Sequence, residues 1–438
     1  MKESKGIALD LFEEGIDSVL PAKVVRMHLK VEGDFLFSKE EKFDLTKLNR
    51  VFVIGGGKAS FGMAKAVENA IGSVINSGLI VTPRGGKRGT LGRIKALEGS
   101  HPIPNLTGVE ATKELLELAK SASDGDLVVV LISGGGSSLL TLPVEGIELK
   151  ELKTLTEDLL ASGATIGEIN MIRRQLSQIK GGKLARAIHP AEGLVLIISD
   201  VVGDDLRAIA SGPTVPDEST PSDALDVLEK YGLQKEKHRS IIDFLSGGVE
   251  NALFKSVSKE EFEGFGITNQ IIASNKIALS AMAEKAGELG INTLVLSSML
   301  EGESREVGQV FGQLGRSIYE ESCPLHRPAL LLSGGETTVK LTESFGVGGP
   351  NQEFALAAGL SILGIPNSVV GAIDSDGKDG STDIAGGLVS GQISTPSDQI
   401  TSYLQNHDSN QLLRKLNGAI ITGQTGTNVN DLRLALVL

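Results

Sequence analysis

Val53-Ile54-Gly55-Gly56-Gly57-Lys58-Ala59-Ser60 decides the fold: an apolar run passes through three glycines into a helical segment whose first turn carries a lysine. Strand, tight turn and helix in that order make the first half of a βαβ unit. A turn built of glycine lets backbone N–H groups approach an anion, and Lys58 adds a point charge there. The stretch is not a P-loop, because G-x-x-x-x-G-K-[ST] needs glycine where Phe52 stands and serine or threonine where Ala59 stands. It also misses the strict dinucleotide fingerprint, with Ser60 at the third glycine position. A plain tight turn is the competing reading, and the lysine after a buried strand weighs against it.

Outward from that stretch, apolar runs at 79–82, 127–132 and 194–198 repeat the pattern, most closed by Gly, Ser or Pro and followed by helical spacing. A run such as Leu127-Val128-Val129-Val130-Leu131-Ile132 shows no polar alternation, so both of its faces need cover, the condition of a parallel sheet between helices. A second series is predicted at 270–273, 293–296, 329–332, 369–373 and 419–421, interleaved with helices at 277–289 and 305–319. Between about 234 and 266 the chain turns charge-rich and weakly periodic, which marks the expected interdomain connection. At 438 residues the chain exceeds what one core usually supports. The fold class is therefore α/β in two domains, a doubly wound parallel sheet and a smaller second α/β domain. Ile7, Leu11, Phe12, Ile16, Val19 and Leu20 recur at helical spacing, an opening helix expected to pack on the first domain.

Composition excludes several function classes. The 42 basic and 55 acidic residues leave a net charge of −13, which repels nucleic acid and anionic membranes over most of the surface. Aromatics are 4 % with no Trp, too few for a base-stacking platform. The single cysteine, Cys323, rules out an intrachain disulfide framework and Cys-based zinc spacing, as expected of a reducing, cytoplasmic setting. No apolar stretch reaches the length of a membrane span, and no secretory h-region follows Met1. Neither H-E-x-x-H nor G-x-S-x-G occurs, which leaves transfer chemistry, with anions held locally by glycine loops.

The candidate site residues follow the strands. Gly56, Gly57, Lys58 and Ser60 would hold phosphate or carboxylate, and Gly135, Gly136, Ser137 and Ser138 offer N–H groups and hydroxyls after the run 127–132. Asp200 and Asp204 stand just beyond 194–198, suited to accept a hydroxyl proton or to hold magnesium, with a helix cap as the rival role. Arg173, Lys180 and Lys183 flank the Gly181-Gly182 break and would supply charge to phosphates, unless they are solvated helix charges. In the second half, Ser333-Gly334-Gly335-Glu336-Thr337-Thr338 and Gly346 through Glu353 are expected as polar loops, with Glu336, Asn351 and Glu353 as ligand contacts or caps. No EF-hand register follows Asp374-Ser375-Asp376-Gly377; Asp376 and Asp379 would instead hold magnesium with substrate phosphates, with a solvent-exposed turn as the rival reading. His101 sits on a stiff Pro-x-Pro loop, and Ser211-Gly212-Pro213-Thr214 is a rigid polar turn.

Taken in order, Gly55 to Ser60, Gly99-Ser100-His101-Pro102, Ser133 to Ser138, Ile179-Lys180-Gly181-Gly182, Ser199 to Asp204, Ser333 to Thr338, Asn351-Gln352-Glu353, Asp374 to Gly377 and Thr425 to Asp431 resemble the glycerate 2-kinase family over nearly the whole chain. The resemblance implies a Rossmann-like glycerate kinase domain at 1–250 and a C-terminal MOFRL domain at 265–438, with the active site between them. It further implies ATP as donor, Mg2+ as cofactor and D-glycerate as the partner phosphorylated at its 2-hydroxyl, with Lys58 contacting substrate or phosphate. Asp200, as acceptor of the hydroxyl proton, joins Lys58 as an expected catalytic residue. Pro350 and Gln175 depart from the family pattern, in which many members carry arginine and histidine. An NAD(P)-dependent hydroxypyruvate reductase and a non-catalytic ligand-binding protein are the alternatives, the first prompted by the near-miss glycine fingerprint.

Overall fold

A computed structural model of the chain describes residues 2–39, 41–85, 89–247, 255–341 and 343–438. The chain divides into two compact units, 24–272 and 1–23 with 273–438.

In the first unit an antiparallel meander of β1 (Lys30–Glu32), β2 (Phe35–Ser38) and β3 (Glu41–Asp44) precedes a seven-stranded sheet. That sheet contains β4 (Val51–Gly56), β5 (Ile75–Pro83), β6 (Gly89–Leu91), β7 (Ile94–Gly99), β8 (Leu127–Ile132), β9 (Glu192–Ile198) and β10 (Ile267–Ala273), in the order β10-β9-β8-β4-β5-β7-β6. β9, β8, β4, β5 and β7 run parallel, and the short edge strand β6 pairs antiparallel with β7. Every residue of β4 and β8 is buried, as the continuous apolar runs require. The strand order reverses direction between β4 and β8, so the crevice beyond their carboxyl ends is where ligands bind in sheets of this kind.

Two glycines set how close β4 and β8 come. A Cβ on Gly55 would lie 2.0 Å from the Leu131 carbonyl oxygen, and one on Gly57 would lie 2.1 Å from Ser133 Oγ. Three consecutive residues, Ala210, Ser211 and Gly212, have φ of 51°, 61° and 63°, a costly conformation for the two that are not glycine.

The second unit holds a six-stranded mixed sheet of β11 (Asn292–Glu303), β12 (Ala329–Thr338), β13 (Ser368–Asp374), β14 (Gly386–Ser390), β15 (Ala419–Ile420) and β16 (Asp431–Val437), ordered β11-β12-β16-β13-β14-β15. Only β11 and β12 pair parallel. The helix Pro350–Ser361 is buried nearly all round. It lies so close to the helix Ser304–Glu321 that Cβ atoms on Gly308 and Gly312 would meet the carbonyls of Phe354 and Ala358 at 2.6 and 2.3 Å.

Four expectations are corrected. The strand at 270–273 joins the first sheet beside β9 as part of β10, its Ile267 and Ile271 packing on that sheet's core. The stretch 234–266 is no bare connection: Ile241 and Leu245 sit in a core cluster with Leu155, Leu159 and Ile172, while its part at 248–254 lies outside the described residues. The opening helix, Lys2–Ser18, packs on the second unit, with Gly15 against Met282, and just beyond it the Val19 carbonyl accepts from Thr427 Oγ1 at 2.8 Å. Ser333 to Thr338 continues β12 rather than forming a loop, because β11 and β16 supply pairing partners on both sides.

Gly55→Ala therefore forces β4 and β8 apart, and the first unit is expected to lose about 3 kcal/mol. Gly167, exposed in the helix Ile166–Gln175 with nothing closer than 3.9 Å to its added Cβ, should gain about 0.5 kcal/mol as alanine. Urea unfolding of both variants checks the contrast.

Candidate functional site

The loops after β4, β7, β8 and β9 all leave the carboxyl edge of the parallel strands, and they bring Lys58, His101, the Gly134-Gly135 turn and Asp200 together. The Lys58 N–H donates to the Gly134 carbonyl at 2.8 Å, and the Ala59 N–H to Ser133 Oγ at 3.0 Å, which ties the two glycine loops to each other. An added Cβ on Gly134 would lie 1.9 Å from Asp200 Oδ2, and one on Gly135 would lie 2.9 Å from His101 Cδ2 and 3.3 Å from Lys58 Cγ. Bare backbone at Gly134 and Gly135 thus lies against both an exposed lysine and a half-buried aspartate. Burial first, and then the Lys58 charge, hold the His101 imidazole below its usual pKa and favour its neutral form.

A polar chain runs on from the second loop. Ser137 Oγ and Ser211 Oγ are 3.0 Å apart, Ser211 Oγ donates to Asn170 Oδ1 at 3.3 Å, and Arg173 Nη1 donates to the same oxygen at 3.4 Å. Ser211 is fully buried, so the strained turn 210–212 is held where its hydroxyl meets Ser137. Asn170 escaped sequence reasoning because one asparagine inside a helix carries no local signal.

Several predicted contacts have structural roles instead. Ser60 is fully buried, its hydroxyl donating to the Gly57 and Val81 carbonyls at 2.8 and 3.3 Å. Gly56 and Gly136 give close packing, since Cβ atoms there would meet Leu140 and Ala210 at 2.7 Å. Ser138 Oγ bonds back to the Gly135 carbonyl at 3.1 Å. Lys180 points inward to carbonyl oxygens.

In the second unit, Glu336 stands exposed on β12. Asn351 and Glu353 open the helix Pro350–Ser361 and are each 1 % exposed, which removes them from solvent. Asn351 Nδ2 donates to Asp431 Oδ1 at 2.6 Å and to Asp379 Oδ1 at 3.2 Å. Glu353 accepts from Arg305 Nε at 2.5 Å, with His407 Nδ1 at 2.8 Å from its other oxygen. Asp379, expected as a metal ligand, caps that helix: its two oxygens accept from the Asn351 and Gln352 N–H groups, each at 3.0 Å, and from Gln352 Nε2 at 2.8 Å. Pro350 fits there because the first helical position needs no N–H. Gln175 is likewise structural, its Nε2 donating to the Ser219 carbonyl at 2.7 Å and to Ser256 Oγ at 3.1 Å.

Among the described residues no group of three or more His, Cys, Asp or Glu side chains is placed to hold a metal ion. A magnesium ion carried by phosphates needs only one or two carboxylates. Asp379 does not fit, its oxygens being filled, whereas Asp204 and Asp376 are half-buried on loops and fit as such ligands.

Residues 7–246 match the family model described as a domain of unknown function, DUF4147, and residues 329–431 match the MOFRL family. A glycerate 2-kinase of Pyrococcus horikoshii is 41 % identical over 98 % of this chain and 97 % of its own length. The chain belongs to the glycerate 2-kinase family. A D-glycerate 2-kinase of Thermotoga maritima is 36 % identical over 99 % of this chain and 98 % of its own. The crystal structure of a glycerate kinase from Thermotoga maritima superposes with a TM-score of 0.88 at 35 % identity, covering 100 % of both chains. Among the described residues no helix is long and apolar enough to cross a membrane.

Burial first, then the Asp376 and Asp431 charges, push Asp374 up to about 8, and burial pushes Asp379 up to about 6. In the unfolded chain these carboxyls ionise near 3.8, the ordinary aspartate value. Between that pH and about 8 the folded unit holds a proton on Asp374 that the unfolded chain has lost, so stability falls as pH rises through the window. Asp374→Asn keeps an acceptor for the Asp376 N–H, 2.9 Å away, but cannot ionise. Thermal midpoints at pH 5 and pH 8.5 should therefore drop less in Asp374→Asn than in the parent; an equal drop contradicts the assignment.

Proposed function

We propose that this chain is an ATP-dependent D-glycerate 2-kinase, a phosphotransferase that moves the γ-phosphoryl group of ATP to the 2-hydroxyl of D-glycerate. The observation that carries the reading is the meeting of Lys58, the Gly134-Gly135 turn and Asp200 at the strand-order reversal, in a chain aligned end to end with glycerate 2-kinases.

Phosphoryl transfer leaves little covalent work to the protein, so positioning and electrostatics dominate. The Lys58 ammonium, on an exposed side chain, meets anionic oxygens and stabilises charge as it shifts from the donor toward the leaving ADP. The glycine turn lets phosphate or carboxylate approach backbone that any side chain would block. Asp200 accepts the proton that the 2-hydroxyl releases as its oxygen bonds to phosphorus. Arg173, held through Asn170 to Ser211 and Ser137, offers a cation for the glycerate carboxylate or a phosphate. Asp204 or Asp376 would hold magnesium, which would supply positive charge to the phosphates. Ser137 completes the cradle, and the lone exposed Cys323 accords with a reducing, cytoplasmic setting.

The reductase reading is weaker because Ser60, at the third position of the glycine fingerprint, is buried and spent on the turn itself. Lys58→Ala is expected to lower kcat by about 10²-fold with folding retained, and Asp200→Asn by about 10³-fold. Steady-state assays with ATP and D-glycerate check both, and near-normal turnover in either variant removes that residue from the mechanism. Hydroxypyruvate-dependent NADH oxidation without kinase turnover would replace the proposal by the reductase.

A further inference from the structure

The ammonium groups of Lys180 and Lys183, each 3 % exposed, end on carbonyl oxygens. Lys180 Nζ donates to Ser137 O at 2.8 Å and Leu140 O at 2.9 Å. Lys183 Nζ donates to Arg174 O at 2.7 Å and Ser177 O at 2.8 Å. These acceptors lie at or just past helix C-termini, where the last carbonyls lack partners along the helix: Gly136–Leu139 for Lys180 and Ile166–Gln175 for Lys183.

The segment carrying the lysines is itself fixed. Ser177 Oγ accepts from the N–H groups of Ile179 and Lys180, both at 3.2 Å. The Gly181 and Gly182 N–H groups donate to the carbonyls of Ser211 and Gly212 at 3.2 and 2.8 Å. Gly182 has φ +80°, and a Cβ there would lie 2.6 Å from Val257 Cβ, so only glycine closes this turn. Three separate pieces therefore meet on seven residues: the helix end that carries Ser137, the helix that carries Asn170 and Arg173, and the strained turn that carries Ser211.

We propose that 177–183 is a positioning clamp, in which Lys180 and Lys183 fix the segments presenting Ser137, Arg173 and Ser211 and neither lysine contacts phosphate. The proposal rests on the reading of those segments as the substrate site. Each lysine makes two carbonyl bonds, and a neutral amine retains two N–H donors, so the clamp needs no charge. Burial and the neighbouring charge agree with that. Burial first, then Arg173, push Lys180 down to about 7; burial also brings Lys183 to about 7, with Asp217 opposing and Arg186 and Arg174 assisting.

Hydrogen exchange of the full chain without nucleotide or glycerate tests the clamp. Lys180→Met should speed exchange of 134–141 about tenfold, and Lys183→Met should do the same for 166–178, as local opening becomes easier. Lys180→Gln, whose amide still donates two N–H bonds, should recover most of the protection. Unchanged exchange in both methionine variants overturns the proposal, and this readout does not depend on which reaction the enzyme performs. Should a methionine variant fail to fold, ATP titration of Lys180→Gln decides: affinity within about twofold of the parent supports a clamp, whereas a loss of about tenfold or more shows that phosphate needs the charge. Absence of ATP binding by the parent chain contradicts the kinase reading itself, and the exchange result on the glutamine variant then stands alone, protection kept supporting the clamp and protection lost overturning it.

Discussion

The approach of β4 to β8 at their carboxyl ends is the constraint on which the rest of the first unit depends. Glycine at 55 lets the two backbones close on the Leu131 carbonyl, and glycine at 57 lets the next turn seat against Ser133. That closeness allows the Lys58 N–H to reach the Gly134 carbonyl and the Ala59 N–H to reach Ser133 Oγ. Two loops that would otherwise move separately become one surface, with Lys58 and Asp200 beside it. Preorganisation of this kind matters for phosphoryl transfer, where little of the barrier is removed by covalent chemistry.

An overall charge of −13 leaves anion binding to local groups, and in the first unit these are backbone, Lys58 and Arg173. In the second unit carboxylates are buried, and most are met by protein donors: Asp379 by a helix N-terminus, Glu353 by Arg305, Asp431 by Asn351 and Arg433. Burying both members of the Asp431–Arg433 pair penalises their charged forms, so the pair contributes to specific packing more clearly than to net stability.

Much of this was legible in the sequence where chemistry is local. The strands at 51–54, 79–82, 127–132 and 194–198 declared themselves by uninterrupted apolar runs, and the glycine loops after them by composition. β16 was not legible, although it is wholly buried at the centre of its sheet, because Asp431 and Arg433 interrupt the apolar pattern, and they are held there by each other and by Asn351 and Thr337, far along the chain. The helix Lys2–Ser18 was readable as a helix, while its packing partner, some 270 residues on, left no mark in its periodicity. Among candidate site residues, Lys58 and Asp200 stood next to strand ends and the fold brings both to the same glycine turn, whereas the surroundings of Lys180 were not legible. A lysine beside two glycines reads as phosphate chemistry, and only the fold shows its ammonium turned to carbonyls.

The most direct measurement is a product assay with ATP, magnesium and D-glycerate that resolves 2-phosphoglycerate from 3-phosphoglycerate against a control without enzyme. The account predicts 2-phosphoglycerate with release of one ADP per turnover. Formation of 3-phosphoglycerate alone would contradict the regiochemistry, and absence of any phosphorylated product would contradict the kinase assignment.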